Sequence, residues 1–160
     1  MAGPIDDQVV PSDIERAMAI LGGSATVGQE ITNHLDVHNL IARGFPKLVL
    51  RTLVENVHFL QDEDSLRKAI GISKRTYSRE TRPTAKSALL TREQSGRIWK
   101  FTEVLVKAVN VFGSQKRAEQ WMEEPAYGLE LQRPIDLVST PAGIEMVEAY
   151  LDQIEHGVFV

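Results

Sequence analysis

Almost every periodic stretch of this chain repeats its apolar residues at intervals of three and four, and its punctuation is that of helices. In "PSDIERAMAILGG", Ser12 and Glu15 form a capping pair, Ile14, Ala17, Met18 and Leu21 share one face, and Gly22 can stop the helix. A second helix is expected to start after Asp36 and end at Gly44. Pro46 suits the first turn of a third, with Leu50, Leu53, Val54 and Val57 as its apolar stripe. The longest helix, "TREQSGRIWKFTEVLVKAVNVFG", opens on a capping box of Thr91 and Gln94 and closes at Gly113. A short helix capped by Ser114 runs to Pro125, the loop "PAYGLELQR" follows, and Pro134 and Pro141 each suit a helix start. In the last helix Ile144, Val147, Tyr150, Leu151 and Ile154 have core spacing, and the end is expected at His156 and Gly157. No stretch alternates like a strand between hairpin turns, so the expected fold class is all-α. The closing "VFV" has β-favouring residues and leaves room for a short extended piece.

The 160 residues, 42% hydrophobic and 25% charged, suffice for one compact domain or two small ones. No apolar run reaches about 18 residues, and the start "MAGPIDDQVV" has no basic flank or apolar stretch, so a soluble cytoplasmic protein without membrane association is expected. The absence of cysteine excludes disulfides, cysteine metal sites and cysteine nucleophiles. The net charge of −4 hides a segregation. Residues 67–100 hold ten Lys or Arg against two Glu, a balance of +8, and residues 118–160 hold one Arg against nine acids, a balance of −8. The basic section reads either as a polyanion-binding surface or as a solvated helical face.

The stretch "SLRKAIGISKRTYSRE" (65–80) favours the first reading, because it has helix-turn-helix spacing. Leu66, Ala69 and Ile70 pack the first helix, Gly71 supplies the left-handed turn, Ile72 plugs the core, and Ser73 caps the second helix. That second helix offers Lys74, Arg75, Thr76, Ser78 and Arg79, with Tyr77 turned inward. In this motif N-terminal side chains of the second helix reach base edges while flanking residues hold phosphates. Arg75 or Arg79 would read guanine, and Lys74, Arg82 and Lys86 are placed for phosphates, with Ser73 in the same DNA-facing set. Arg67 stands where a small residue usually lets the helices approach, so it must snorkel outward or the interhelical angle must open.

Catalytic constellations are missing from the sequence. His34 and His38 lie one turn apart in "HLDVH", but Leu35 stands where a metalloprotease needs Glu. Glu123, Glu124, Glu145 and Glu148 have no apolar pocket or His partner that would mark acid/base work, and read as a solvated or partner-facing surface. No phosphate-cradling glycine loop is present. The expectation is a protein that is not an enzyme and has no metal site and no cofactor.

Residues 111–125, "VFGSQKRAEQWMEEP", and 129–160, "LELQRPIDLVSTPAGIEMVEAYLDQIEHGVFV", give an ordered series. It runs Phe-Gly, Ala and Trp before a Pro, a Leu-containing loop, Pro-x-Asp-Leu, Thr, Gly, a Val-x-x-x-Leu helix and a closing Glu-x-Gly-Val. From Thr102 onward this resembles the toxin-binding domain of Xre/MbcA/ParS-type antitoxins. Upstream, "LIARGFP" and "GISKRTYSRE" resemble the same family's DNA-binding half, so the likeness covers roughly residues 35–160.

The resemblance implies a type II antitoxin whose partner is a toxin of the RES fold that consumes NAD. It further implies a helix-turn-helix that binds the operon's own operator, a C-terminal domain that occludes the toxin's active site, and a homodimer within a larger complex. The expected organisation is a helical extension over 1–30, a helix-turn-helix domain over 31–100 and a small helical toxin-binding domain over 101–160. Asp152, Glu155, His156, Gly157, Val158, Phe159 and Val160 form the expected toxin-facing tip. Val158 and Phe159 either wedge into the partner or fold back as an internal plug. Gly96 departs from the family pattern, and a helix-interior glycine costs about 1 kcal/mol relative to Ala. A free-standing helix-turn-helix regulator with a C-terminal oligomerisation domain is the competing reading.

Overall fold

The computed structural model describes residues 11–83 and 88–157. Among the described residues there are ten α-helices and no strand, only the isolated bridges Pro46 to Leu89 and Ala126 to Gln132. The helices are α1 Asp13–Ile20, α2 Gly23–Val27, α3 His34–Arg43, α4 Lys47–Asn56, α5 Glu63–Ile70, α6 Lys74–Glu80, α7 Arg92–Phe112, α8 Gln115–Glu123, α9 Pro134–Leu137 and α10 Pro141–Glu155. The all-α expectation holds, with a helix-turn-helix followed by a small helical unit.

The axis of the molecule is α7. Its 21 residues span roughly 30 Å. Thr91 and Gln94 make the reciprocal capping box read from the sequence, and Gly113 ends the helix at φ 87. Ile98, Phe101, Leu105 and Ala108 are buried as the spacing predicts, and Trp99, Val104 and Val106 are buried too. Buried residues run round much of α7 because α1, α3, α5, α8 and α10 all pack on it. One core therefore runs from Ala17 to Leu151, and α7 passes straight through the position between residues 100 and 101. Gly96 leaves the helix unbroken, and its missing Cβ would meet only Ile41 Cγ2 at 3.8 Å.

Two local features differ from the sequence reading. First, α3 starts at His34, because Asn33 takes the cap and accepts from the Asp36 N–H at 2.9 Å. Asp36 instead reaches back to accept from the Thr32 N–H at 3.1 Å, so it serves the first turn from inside the helix. Second, Gly22 and Gly23, at φ 102 and 75, do not merely stop α1. They turn the chain at once into α2, whose Val27 is buried.

Candidate functional site

The helix-turn-helix is built from α5, the turn and α6. Asp62 caps α5, Leu66, Ala69 and Ile70 are buried, Gly71 turns at φ 79, and Ile72 is buried. Ser73 accepts from the Thr76 N–H at 3.1 Å and donates to Thr76 Oγ1 at 3.0 Å, so both hydroxyls are committed to the cap of α6. Lys74, Arg75, Ser78 and Arg79 stand exposed on one side of α6, while Tyr77 packs half-buried against the core and burial pushes its phenol upward. Arg82 is exposed just past the helix, and Lys86 lies outside the described residues. Arg67 does snorkel outward and pairs with Glu63 at 3.3 Å.

Glu80 is the one acid on α6. The Lys47 ammonium at 2.8 Å holds its carboxyl below the usual range. Its reach to Arg79 is longer, 3.6 Å. The acid is thus spent on α4, and among the described residues Arg75 and Arg82 have no ion-pair partner. Cations left without an acid partner on an exposed helix attract anionic groups.

At the other end of the molecule α10 carries the expected tip. Asp152 is half-buried and pairs with Lys107 at 2.9 Å. Glu155, His156 and Gly157 are exposed, and His156 Nδ1 lies 2.8 Å from the Asp152 carbonyl oxygen. Gly157 turns the chain at φ 66. Val158, Phe159 and Val160 lie outside the described residues. Glu148, read from the sequence as surface acid, is instead bracketed by Lys100 at 2.7 Å and Lys107 at 3.8 Å.

A groove of about 700 Å³ opens between α7 and α10, over Ile144 and Pro141. Its polar groups are largely committed, Lys100 to Glu148 and Asp152 to Lys107. His34 and His38 are exposed on α3, and among the described residues no group of three or more His, Asp and Glu stands where it could hold a metal ion. No helix there is long and apolar enough to cross a membrane.

Sequence reasoning missed the joint between the two ends. Arg97 donates to the carbonyls of Ala69 at 3.0 Å and Lys68 at 2.7 Å, closing the C-terminal turn of α5, and reaches the Ser139 carbonyl at 3.4 Å. Beside it Lys68 pairs with Asp136 at 2.6 Å, and Arg133 binds the same carboxylate through two nitrogens, each at 3.0 Å. The Arg133 guanidinium, then Lys68, hold the Asp136 carboxyl below its ordinary range, against the opposing pull of burial. Lys68 and Asp136 are 68 residues apart in sequence and Arg97 is 28 or more from its acceptors in α5, which is why no local pattern marks these contacts. The "Pro-x-Asp-Leu" motif already contained Asp136, but its partner was invisible.

Residues 107–157, the end of α7 with α8 to α10, match the family described as the antitoxin Xre/MbcA/ParS C-terminal toxin-binding domain. A curated protein of Photorhabdus laumondii, named antitoxin Xre, is 31% identical over 134 residues, covering 83% of this chain and 87% of its own. Another antitoxin Xre, from Yersinia enterocolitica, is 37% identical over 93 residues, 58% of this chain and 61% of the relative. The longer likeness is too long to leave out the basic helix, and the chain belongs to the Xre antitoxin family.

Proposed function

We propose that this protein is the antitoxin of a type II toxin-antitoxin pair, not an enzyme. It neutralises a cytoplasmic RES-type NAD-degrading toxin by covering the entrance to that toxin's active site, and it binds its operon's operator through α6. The observation that carries the reading is the likeness to an antitoxin Xre over 83% of the chain. Two further features support it. The exposed cations of α6, Lys74, Arg75 and Arg79 with Arg82 behind them, suit DNA, and the acids of α10 suit a partner whose site attracts the phosphates of NAD. On this reading Asp152 and Glu155 to Val160 meet the toxin, Ser73 to Thr76, Ser78, Arg79, Arg82 and Lys86 face the operator, and the protein acts as a homodimer within the complex. The domain division at residues 30 and 100 is kept as a functional one, since α7 joins both halves physically.

Co-expression with the RES toxin encoded beside it tests the reading. The full chain should restore growth, and a chain truncated after His156 should not, while both shift operator DNA equally. Arg75→Ala and Arg79→Ala should still restore growth, and the variant that loses a base contact should bind operator weaker by about 1–3 kcal/mol. Growth restored equally by the truncated chain would remove the tip from the inhibitory surface.

A further inference from the structure

The core of this protein is mainly aliphatic, yet an aromatic strip lies on the surface of its C-terminal half. Phe112 and Trp121 stack with centroids 5.1 Å apart, and Trp121 and Tyr150 follow at 6.2 Å. All three rings are half-buried. The strip continues onto the loop between α8 and α9, where Gly128 lies so flat on the Tyr150 ring that a Cβ would come within 2.0 Å of it. From that loop Tyr127 projects 90% exposed and Leu131 59% exposed.

The loop is rigid. Leu129 pins it from below, buried at 1% exposure, while the Ala126 N–H donates to the Gln132 carbonyl at 3.1 Å and the Leu131 N–H to the Ala126 carbonyl at 2.9 Å. It is also strained, because Glu130 and Leu131 both take positive φ, 53 and 62, a region that disfavours side chains with a Cβ. Glycine at either place would relieve that cost. The side chains displayed at this cost contribute little to the fold they stand on. Strain of this kind clusters at binding surfaces, where a loop fixed in advance loses little entropy on association.

We propose that this strip, with Tyr127 and Leu131 as its outer anchors, docks the body of the toxin and fixes which toxin is recognised, separately from the tip that covers the active site. The proposal rests on the reading that the partner is a toxin, and three observations select that occupant. The strip lies wholly within the segment matched as a toxin-binding domain, 107–157. Its Tyr150 lies on α10, two residues ahead of Asp152, where the expected tip begins. The exposed charges around the loop are acidic, Glu124 at its base and Glu130 within it, and Arg133 at its far end is bound to Asp136. A second copy of this chain placed on the strip by two-fold symmetry would bring those acids toward their own images, whereas a basic partner would satisfy them. Tyr and Trp in such a setting are the residues that dominate association energy.

The test is titration of the purified cognate RES toxin with the full chain, its Tyr127→Ala/Leu131→Ser double variant, and Leu35→Ser as a control on an exposed leucine of α3. The double variant should keep the melting temperature and sedimentation behaviour of the parent and bind toxin at least tenfold more weakly, mostly through faster dissociation. Leu35→Ser should bind as the parent does. Parent-like affinity in the double variant would overturn the docking surface and leave the antitoxin reading standing. A parent chain that fails to bind the toxin would instead overturn that reading, before any variant is compared. If the double variant binds toxin normally but sediments as a smaller species, the strip belongs to a second copy and the toxin is not its occupant.

Discussion

At the scale of single residues, the least conspicuous polar group near the start of α7 is the most constrained. Ser95 is fully buried one turn into α7. Its Oγ accepts from the Phe45 N–H at 2.8 Å and donates to the Thr91 carbonyl at 2.7 Å. The first bond crosses 50 residues and fixes the turn between α3 and α4 against α7. There Gly44, at φ 104, lies so close to the Leu90 carbonyl that a Cβ would stand 2.3 Å away. Removing the hydroxyl leaves the Phe45 N–H without a partner in a dry core. Ser95→Ala should therefore lower stability by about 1–3 kcal/mol, read as a fall in denaturant midpoint with unchanged slope. In the sequence Ser95 is one more small polar residue after a capping box. Only the approach of Phe45 gives it a role.

At the scale of elements, two helical glycines that look alike in sequence have opposite meanings. Gly143 is the third residue of α10, and its N–H donates to the capping Thr140 Oγ1 at 3.0 Å. A Cβ there would lie 1.8 Å from the Leu137 carbonyl oxygen, because α9 ends directly against the first turn of α10. Since the clash is with backbone, Gly143→Ala must push α9 away and should cost about 1–3 kcal/mol. Gly96 in α7 faces Ile41 at an ordinary 3.8 Å, so Gly96→Ala should stabilise by up to about 1 kcal/mol. Thermal melts of the two variants should move in opposite directions. Equal shifts would refute the packing distinction. Capping signals located α1, α7 and α8 correctly, and Pro141 the start of α10, because these signals act over three residues or fewer, which sequence displays directly. The start of α3 was misplaced for the same local reason, since both Asn33 and Asp36 are capable caps and their hydrogen bonds decide between them.

At the scale of the whole molecule, the basic and acidic sections meet at Asp136. Its carboxylate is shared by Lys68 of α5 and Arg133 ahead of α9, so the helix-turn-helix and the toxin-binding helices are braced through one side chain. Its pKa is depressed in the folded state. A depressed carboxylate gives stability that is complete above the unfolded value of about 3.9 and is lost as pH falls through the folded value. Lys68 is raised, chiefly by Asp136, so the same bond weakens only as pH rises through the lysine's folded pKa, above about 10.4. Asp136→Asn should thus lower the melting temperature across the neutral range. A partly exposed network is worth on the order of 1 kcal/mol, a shift of about 2–4 °C. The difference between variant and parent should shrink below the folded pKa of Asp136, where both carry a neutral side chain. A gap of constant size down to strong acid would show that packing, not charge, carries the effect.

The helical class, most caps, the helix-turn-helix with its inward Tyr77, and the split of charge along the chain are all legible in the residues alone. Each of these is written in spacings of a few residues or in composition, and helical geometry converts them directly into faces and ends. Tertiary structure alone decided that α7 passes through both halves as one packed axis, that Glu148 and Asp152 answer to lysines, and that Arg97 and Asp136 brace α5 against α9 and α10. It also decided that "PAYGLELQR" is a strained, rigid platform on Tyr150 rather than slack between helices. Those contacts join residues from distant parts of the chain. Their partners are chosen by how amphipathic helices stack, and a one-dimensional pattern does not record which faces meet.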